Sequence, residues 1–426
     1  MKQIGVLGIL AMVAAGSACS AGAAPAQSSI EEAAQRIHSE CGNLDVDEKS
    51  ACYDGELVPM ARSGDVGRAL ELLQQVAALD EDVARDGHMF VHAIGIAAYD
   101  PSRDFVSIFT SCTELFHAGC YHGLIQARLA DAGEVNAETV NELCADVVAA
   151  GTDRWTQFQC LHGIGHGVVI HAGHDLLEGL DGCELLEDPW QRASCFGGAF
   201  MENVTNATHP HHAALTRSLT SADHAHDDDA HAGHGSTSGG IAPSGFKPID
   251  PEDPLYPCSI VREHQKPACY GMQTAVILHL NDYDFGAAAE SCEEAPEHYR
   301  RTCHASLGRD ASGFASRDTK KLIQLCEQDR TPNGQYCYVG ATKAVIDWAG
   351  QPEDGLEFCS AVEDRMGQLR CYQGVGAQIA IIVPDDEEGR ALCARAEGDK
   401  RDACLWGASL LNEMPAVLKE NGDGRV

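Results

Sequence analysis

Apolar and polar positions follow one rhythm along much of the chain. Residues 318–327 begin polar and carry Leu322, Ile323 and Leu325, the pattern of a short amphipathic helix. Thr331-Pro332-Asn333-Gly334 has the chemistry of a turn. From Gln335 to Trp348, the residues Cys337, Gly340, Ala341, Ala344, Val345 and Trp348 recur at helical spacing, which predicts a second helix. The unit is a helical hairpin.

The cysteines show how often the unit recurs. They fall into consecutive couples: Cys41/Cys52, Cys112/Cys120, Cys144/Cys160, Cys183/Cys195, Cys258/Cys269, Cys292/Cys303, Cys326/Cys337, Cys359/Cys371 and Cys393/Cys404. First members at 258, 292, 326, 359 and 393 step by 33 or 34 residues, the signature of a structural repeat. The 71 residues from Cys41 to Cys112 leave room for a unit without cysteines across 64–100, in which Phe90 stands in the cysteine slot. The 75 from Cys183 to Cys258 contain an insertion. The expected fold is therefore all-α: a solenoid of about ten hairpins of ~34 residues. In each, a local cystine ties the end of the first helix to the first turn of the second. Each such cystine contributes about 3 kcal/mol by loop-closure arithmetic. Glycine recurs three positions after the second cysteine, as in Cys120-Tyr121-His122-Gly123 and Cys160-Leu161-His162-Gly163. Glycine costs a helix about 1 kcal/mol, so its recurrence at one register implies close helix–helix approach.

In period and hairpin plan the chain resembles tetratricopeptide-like repeats, especially the secreted cysteine-rich Sel type, over residues 36–415. The resemblance is one of architecture. It implies a right-handed superhelix with a concave groove and brings no activity with it. Couples eight or more residues apart, with no close C-x2-C, read as cystines rather than zinc ligands, and the absence of C-x-x-C-H excludes c-type haem.

The compartment follows from the start of the chain. Met1-Lys2, an apolar stretch from Ile4 to Ala15, and Gly16-Ser17-Ala18-Cys19 read as a signal peptide ending in a site similar to the lipobox of bacterial lipoproteins. Cys19 is then the lipid anchor. Cleavage between Ala21 and Ala26 is the alternative. Nineteen cysteines is an odd number, and setting Cys19 aside leaves eighteen that can all pair. The expected organisation is a signal peptide over 1–18, a tether over 19–35, repeats over 36–205, an insertion over 206–247, repeats over 248–415 and a tail over 416–426. No other stretch offers 18 apolar residues, so the membrane enters only through the anchor. With 30 Lys and Arg against 64 Asp and Glu, the net charge of −34 argues against nucleic acid and anionic lipid surfaces. An aromatic share of 6% points to small-residue packing.

Two groups stand out among the 20 histidines. His209, His211, His212, His224, His226, His231 and His234 lie among aspartates in the insertion, which reads as a mobile loop similar in composition to the His-rich loops of periplasmic zinc-binding proteins. The second group is ordered: His88/His92 and His162/His166 are i,i+4 pairs, and His92, His122 and His162 share one register two positions after the cysteine slot. That face is expected to line the groove. Helices 8–10 Å apart would spread His92, His122 and His162 too widely for one ion. His122 can instead join either pair, with His162/His166 favoured because Gly163, Gly165 and Gly167 surround it. Ligation needs neutral imidazole, so affinity is expected to fall below about pH 6.5.

Gly163 to Gly167 lacks the strand and Lys-Ser/Thr of a phosphate loop, so no nucleotide is expected, and there is no H-E-x-x-H. The sequence reads as an exported protein binding a divalent transition metal, zinc first and copper or nickel next. The rival is an envelope scaffold whose groove holds a peptide or protein, and a metal-dependent enzyme is third.

Overall fold

The computed structural model describes residues 29–208 and 245–419, apart from residues 317, 350 and 384. Every regular element among them is helical. The chain begins with α1 (Ile30–Cys41) and α2 (Val46–Arg62). The unit without cysteines follows as α3 (Val66–Ala77), the short α4 (Glu81–Arg85) and α5 (Gly87–Ala98). Next come α6 (Phe105–Phe109) with α7 (Leu115–Ala132), then α8 (Ala137–Glu142) and α9 (Ala145–Ala149) with α10 (Arg154–His171), then α11 (Leu176–Cys183) with α12 (Pro189–Thr208). After a turn-rich stretch the sixth unit supplies α13 (Lys266–Tyr270) and α14 (Thr274–Leu280). The last four hairpins are α15 (Phe285–Glu293) with α16 (Glu297–Ala315), α17 (Thr319–Cys326) with α18 (Cys337–Ala349), α19 (Pro352–Ser360) with α20 (Arg365–Ile382), and α21 (Asp386–Cys393) with α22 (Asp399–Gly407). A final turn, α23 (Ala416–Lys419), ends the described chain.

All nine couples form cystines: Cys41–Cys52, Cys112–Cys120, Cys144–Cys160, Cys183–Cys195, Cys258–Cys269, Cys292–Cys303, Cys326–Cys337, Cys359–Cys371 and Cys393–Cys404, with Cα–Cα separations between 5.5 Å and 5.9 Å. They place the chain in an oxidising, exported environment. Among the described residues no helix is long and apolar enough to cross a membrane.

Aspartates open many of the helices. Asp153, Asp284, Asp318, Asp364 and Asp385 each accept a hydrogen bond from the backbone N–H three residues on. Each such cap is worth about 1 kcal/mol and puts negative charge at the positive end of the helix dipole, so part of the acidic surplus stabilises helix starts.

The cystines attach to their helices differently from the sequence reading, which put every second cysteine in a first turn. Cys52 of α2, Cys120 of α7, Cys160 of α10, Cys195 of α12, Cys303 of α16, Cys371 of α20 and Cys404 of α22 lie in the second turn instead, because those helices start five or six residues earlier. The opening turns have no apolar period to betray them, and in α2, α10 and α20 a capping aspartate fixes the start. Only Cys269, three residues into the short α13, and Cys337, at the head of α18, keep to the first turn. The first cysteines also depart from the plan in three couples. Cys112 and Cys144 follow the ends of α6 and α8, and Cys258, the partner of Cys269, sits in the turn-rich stretch before α13 with no helix of its own.

Two domain boundaries shift as well. The expected tether overlaps α1, which begins at Ile30 behind a Ser29–Glu32 capping box. The expected tail includes α23, where Leu418 is buried and its carbonyl accepts a bond from the buried guanidinium of Arg370 at 3.2 Å.

The second helices pack on one another in chain order: α5 on α7, α7 on α10, α10 on α12, then α16 on α18, α18 on α20 and α20 on α22. Glycines bring alternate pairs into backbone contact. A Cβ at Gly95 would meet the Cys120 carbonyl oxygen at 2.1 Å, and one at Gly123 would meet that of His92 at 2.1 Å. Gly165 and Gly198 do the same between α10 and α12, Gly308 and Gly340 between α16 and α18, and Gly376 and Gly407 between α20 and α22. Contacts also join α7 to α18 and α10 to α20, each a step of five second helices along the chain. One continuous core runs from Ala33 to Leu418.

Candidate metal centre

Three helices bring together the ordered histidines singled out in the sequence. His88 and His92 stand one turn apart on α5, His122 on α7, and His162 and His166 one turn apart on α10. Ring centroids are 5.3 Å apart for His88/His92, 5.8 Å for His92/His122, 4.8 Å for His122/His162 and His122/His166, 5.3 Å for His162/His166 and 5.2 Å for His92/His166. Two triads offer one nitrogen per residue with all three within 4.8 Å of one another: His88, His92 and His122, and His122, His162 and His166. Neither contains both His92 and His162, in keeping with the spacing argument, and His122 belongs to both.

Backbone approach makes this crowding feasible. With α5 touching α7 at the His92 carbonyl and Gly123, and Gly198 of α12 against the His162 carbonyl, the interaxial distance falls below that of helices bearing side chains at the crossing. Gly163 and Gly167 pack against Ile125 and Leu129 of α7, so these glycines serve helix approach and not only room around the pair.

Neighbouring groups orient the rings. His166 Nδ1 donates to Glu202 Oε2 at 2.9 Å, and the other carboxylate oxygen lies 3.6 Å from His174 Nδ1. His122 Nε2 donates to Gln159 Oε1 at 3.0 Å, and His162 Nε2 lies 3.4 Å from the Met201 sulfur. His88 Nδ1 donates to the Phe116 carbonyl at 2.8 Å. Phe116, His117 and Ala118 hold φ values of 48°, 59° and 60° inside α7. Left-handed backbone costs L-residues roughly 1–2 kcal/mol each, and here it delivers the carbonyl that fixes His88. His122 Nδ1 and His166 Nε2 are left buried without a hydrogen-bond partner among the described residues.

Burial dominates the electrostatics. It lowers the proton affinity of His88 and takes His166 down to about 3, with the neighbouring His88 adding to the effect on His166. His122 falls well below the ordinary value through burial and then through its neighbours His162 and His166, and His162 does so through burial and then through His166, His88 and Arg309. His117 also drops to about 3, through burial, His88 and Arg309 of α16. Glu202 is 0% exposed, and among the described residues its ion-pair partners are His166 and His174.

The histidine register does not line an open groove. His92, His122, His162 and His166 are buried and His88 is half-buried, among α5, α7, α10 and α12, and α18 and α20 also pack against α7 and α10 from five units along. Glu202, Gln159, Met201 and the Phe116 carbonyl escaped the sequence reading. Glu202 is the one charged residue in the otherwise apolar and small stretch Cys195–Val204, a signal lost among 64 acidic residues. Cys19 and the loop histidines His209, His211, His212, His224, His226, His231 and His234 lie outside the described residues. No protein-family model, curated protein or solved structure matches the chain.

Proposed function

We propose that this chain is an exported helical-repeat protein that binds one divalent transition metal ion in the buried histidine cluster, zinc first, with copper or nickel as alternatives. The observation that carries the reading is the pairing of open imidazole nitrogens on His122 and His166 with a buried carboxylate, Glu202, behind His166. Glu202 is buried beside His166, an imidazole that resists protonation, and a cation ligated by His166 would supply positive charge next to that carboxylate. A carboxylate on the far nitrogen of a ligating histidine also fixes its tautomer and raises its basicity. Burial suits retention for storage or delivery more than turnover.

The chain-order packing of the second helices, together with contacts five units apart, supports a superhelical solenoid of about ten hairpins with five to a turn. We assign Cys19 as a lipid anchor behind a signal peptide, and the His-rich insertion as a collector of weaker metal equivalents. Titrating the metal-free chain with zinc tests the reading. One tight equivalent is expected, lost in a His162→Ala/His166→Ala variant. A double variant that keeps it makes these histidines packing residues and turns the function back to a scaffold for an envelope partner. Replacing Cys19 with Ala is expected to release the chain from membranes.

A further inference from the structure

We infer that the cluster is a two-station path for a single ion, entered at His88/His92, resting at His162/His166 and pivoting on His122. The inference rests on the metal reading above and concerns how the ion moves. His122 belongs to both triads, yet Gln159 occupies its Nε2 and leaves Nδ1 alone on offer. One lone pair serves one ion at a time.

Charge argues for the same occupancy. Among the described residues Glu202 is the carboxylate paired with a cluster histidine, and Arg309 of α16 adds positive potential at His117 and His162. A second dication in so desolvated a space would meet the first with one carboxylate to offset both, so single occupancy is favoured.

The stations are unequal. His88 keeps part of its surface exposed, and its Nδ1 is tied to the Phe116 carbonyl, so Nε2 is presented in a fixed direction. His162 and His166 are buried, and Glu202 stands behind His166. Half-buried His88, with His92 one turn further in, is the way in, and the pair backed by a carboxylate is the place of rest. His92 and His166 rings 5.2 Å apart, with His122 beside both, let the ion exchange one imidazole for the next without returning to water.

Cobalt(II), whose visible absorption reports its ligands, tests this on the full chain. Wild type is expected to take up one equivalent and to pass through a transient spectrum on rapid mixing before the final one. His88→Ala/His92→Ala should keep that equivalent within about tenfold in affinity. Its loading and its release to a chelator should slow by about tenfold or more. His162→Ala/His166→Ala should exchange quickly and bind about 100-fold more weakly. His122→Ala should lose tight binding. Two tight equivalents on wild type, a single-phase spectrum, or unchanged exchange rates in the His88/His92 variant overturn the path while leaving the metal reading standing. A wild-type chain that takes up no cobalt overturns both. The stoichiometry and mixing experiments need only the wild-type protein, so a variant that fails to fold does not rescue the idea.

Discussion

The α-carbon of Gly123 rests against the backbone carbonyl oxygen of His92, so close that a methyl group on it would lie 2.1 Å from that oxygen. This contact sets the distance between α5 and α7, and with it the distance between the His92 and His122 rings. Gly123→Ala must push the helices apart, since the obstacle is backbone and cannot rotate away. It is expected to destabilise the protein by about 1–3 kcal/mol and to abolish the tight zinc equivalent. Gly163→Ala meets Ile125 Cβ at 3.0 Å and His122 Cα at 3.3 Å, overlaps that a shift of a few tenths of an ångström relieves, and should be milder on both counts. Thermal unfolding with zinc titration compares the two, and equal effects would refute the backbone argument.

Glu202→Gln keeps the size of the side chain and removes its charge. With the amide the histidine–carboxylate pair is lost while packing persists, so zinc affinity should fall about 10–100-fold with helix content unchanged. Calorimetric titration checks it, and an unchanged affinity would exclude the carboxylate from the site.

The buried imidazoles also make a statement about acid. In the unfolded chain histidines take up protons near pH 6.5. In the folded chain His117 and His166 resist until about 3, and His122 and His162 also titrate well below 6.5. The unfolded state therefore binds more protons in that window, and stability falls as pH drops from about 6.5 toward 3. Above 6.5 these groups contribute no pH dependence. Melting of the metal-free chain should thus decline from pH 6.5 downward, earlier than carboxylate titration alone would produce. Protons compete poorly for such rings, so zinc should stay bound below the pH 6.5 limit that unperturbed histidine suggests. Dialysis at pH 5.5 that strips the ion would contradict this.

Each cystine closes a loop of its own hairpin, with separations from 8 to 16 residues. Peptide mapping without reductant should find Cys292 joined to Cys303 and every other couple likewise. Deleting 209–234 should leave that map and the tight zinc equivalent intact while removing weaker equivalents. A deletion that unfolds the protein, or leaves the weak equivalents in place, would count against a collecting role for the loop.

What the sequence shows well is local. Cysteine couples, hairpin period and i,i+4 histidine pairs depend on neighbours along the chain, so spacing alone reveals them. That His122 stands between the other two pairs was legible in the register. Where a helix starts is harder to read, and Cys52, Cys371 and Cys404 lie a turn deeper than expected because polar opening turns carry no period. The partners of Gly123 and Gly163 are not written in any local pattern, and those contacts decide whether three helices can share a cluster. Glu202 was illegible because charge is abundant, and burial, which makes it distinctive, is a property of the folded chain. The open groove expected for the histidine face failed for the same reason, since the rings turn toward one another between packed helices and that packing is a property of the folded chain.

That return, α7 against α18 and α10 against α20, alters how the molecule must come apart. An array in which each repeat touches only its neighbours frays from its ends, one unit at a time, and tolerates shortening. Here the last hairpins are fastened across the third and fourth, so loosening the C-terminal units strips cover from the helices that carry His122, His162 and His166. Chain removed beyond residue 336 should then be felt at the histidines first, as lost metal and lost cooperativity in one melting step. The far end of the polypeptide is in effect the lid of a vault whose contents were laid down near its beginning.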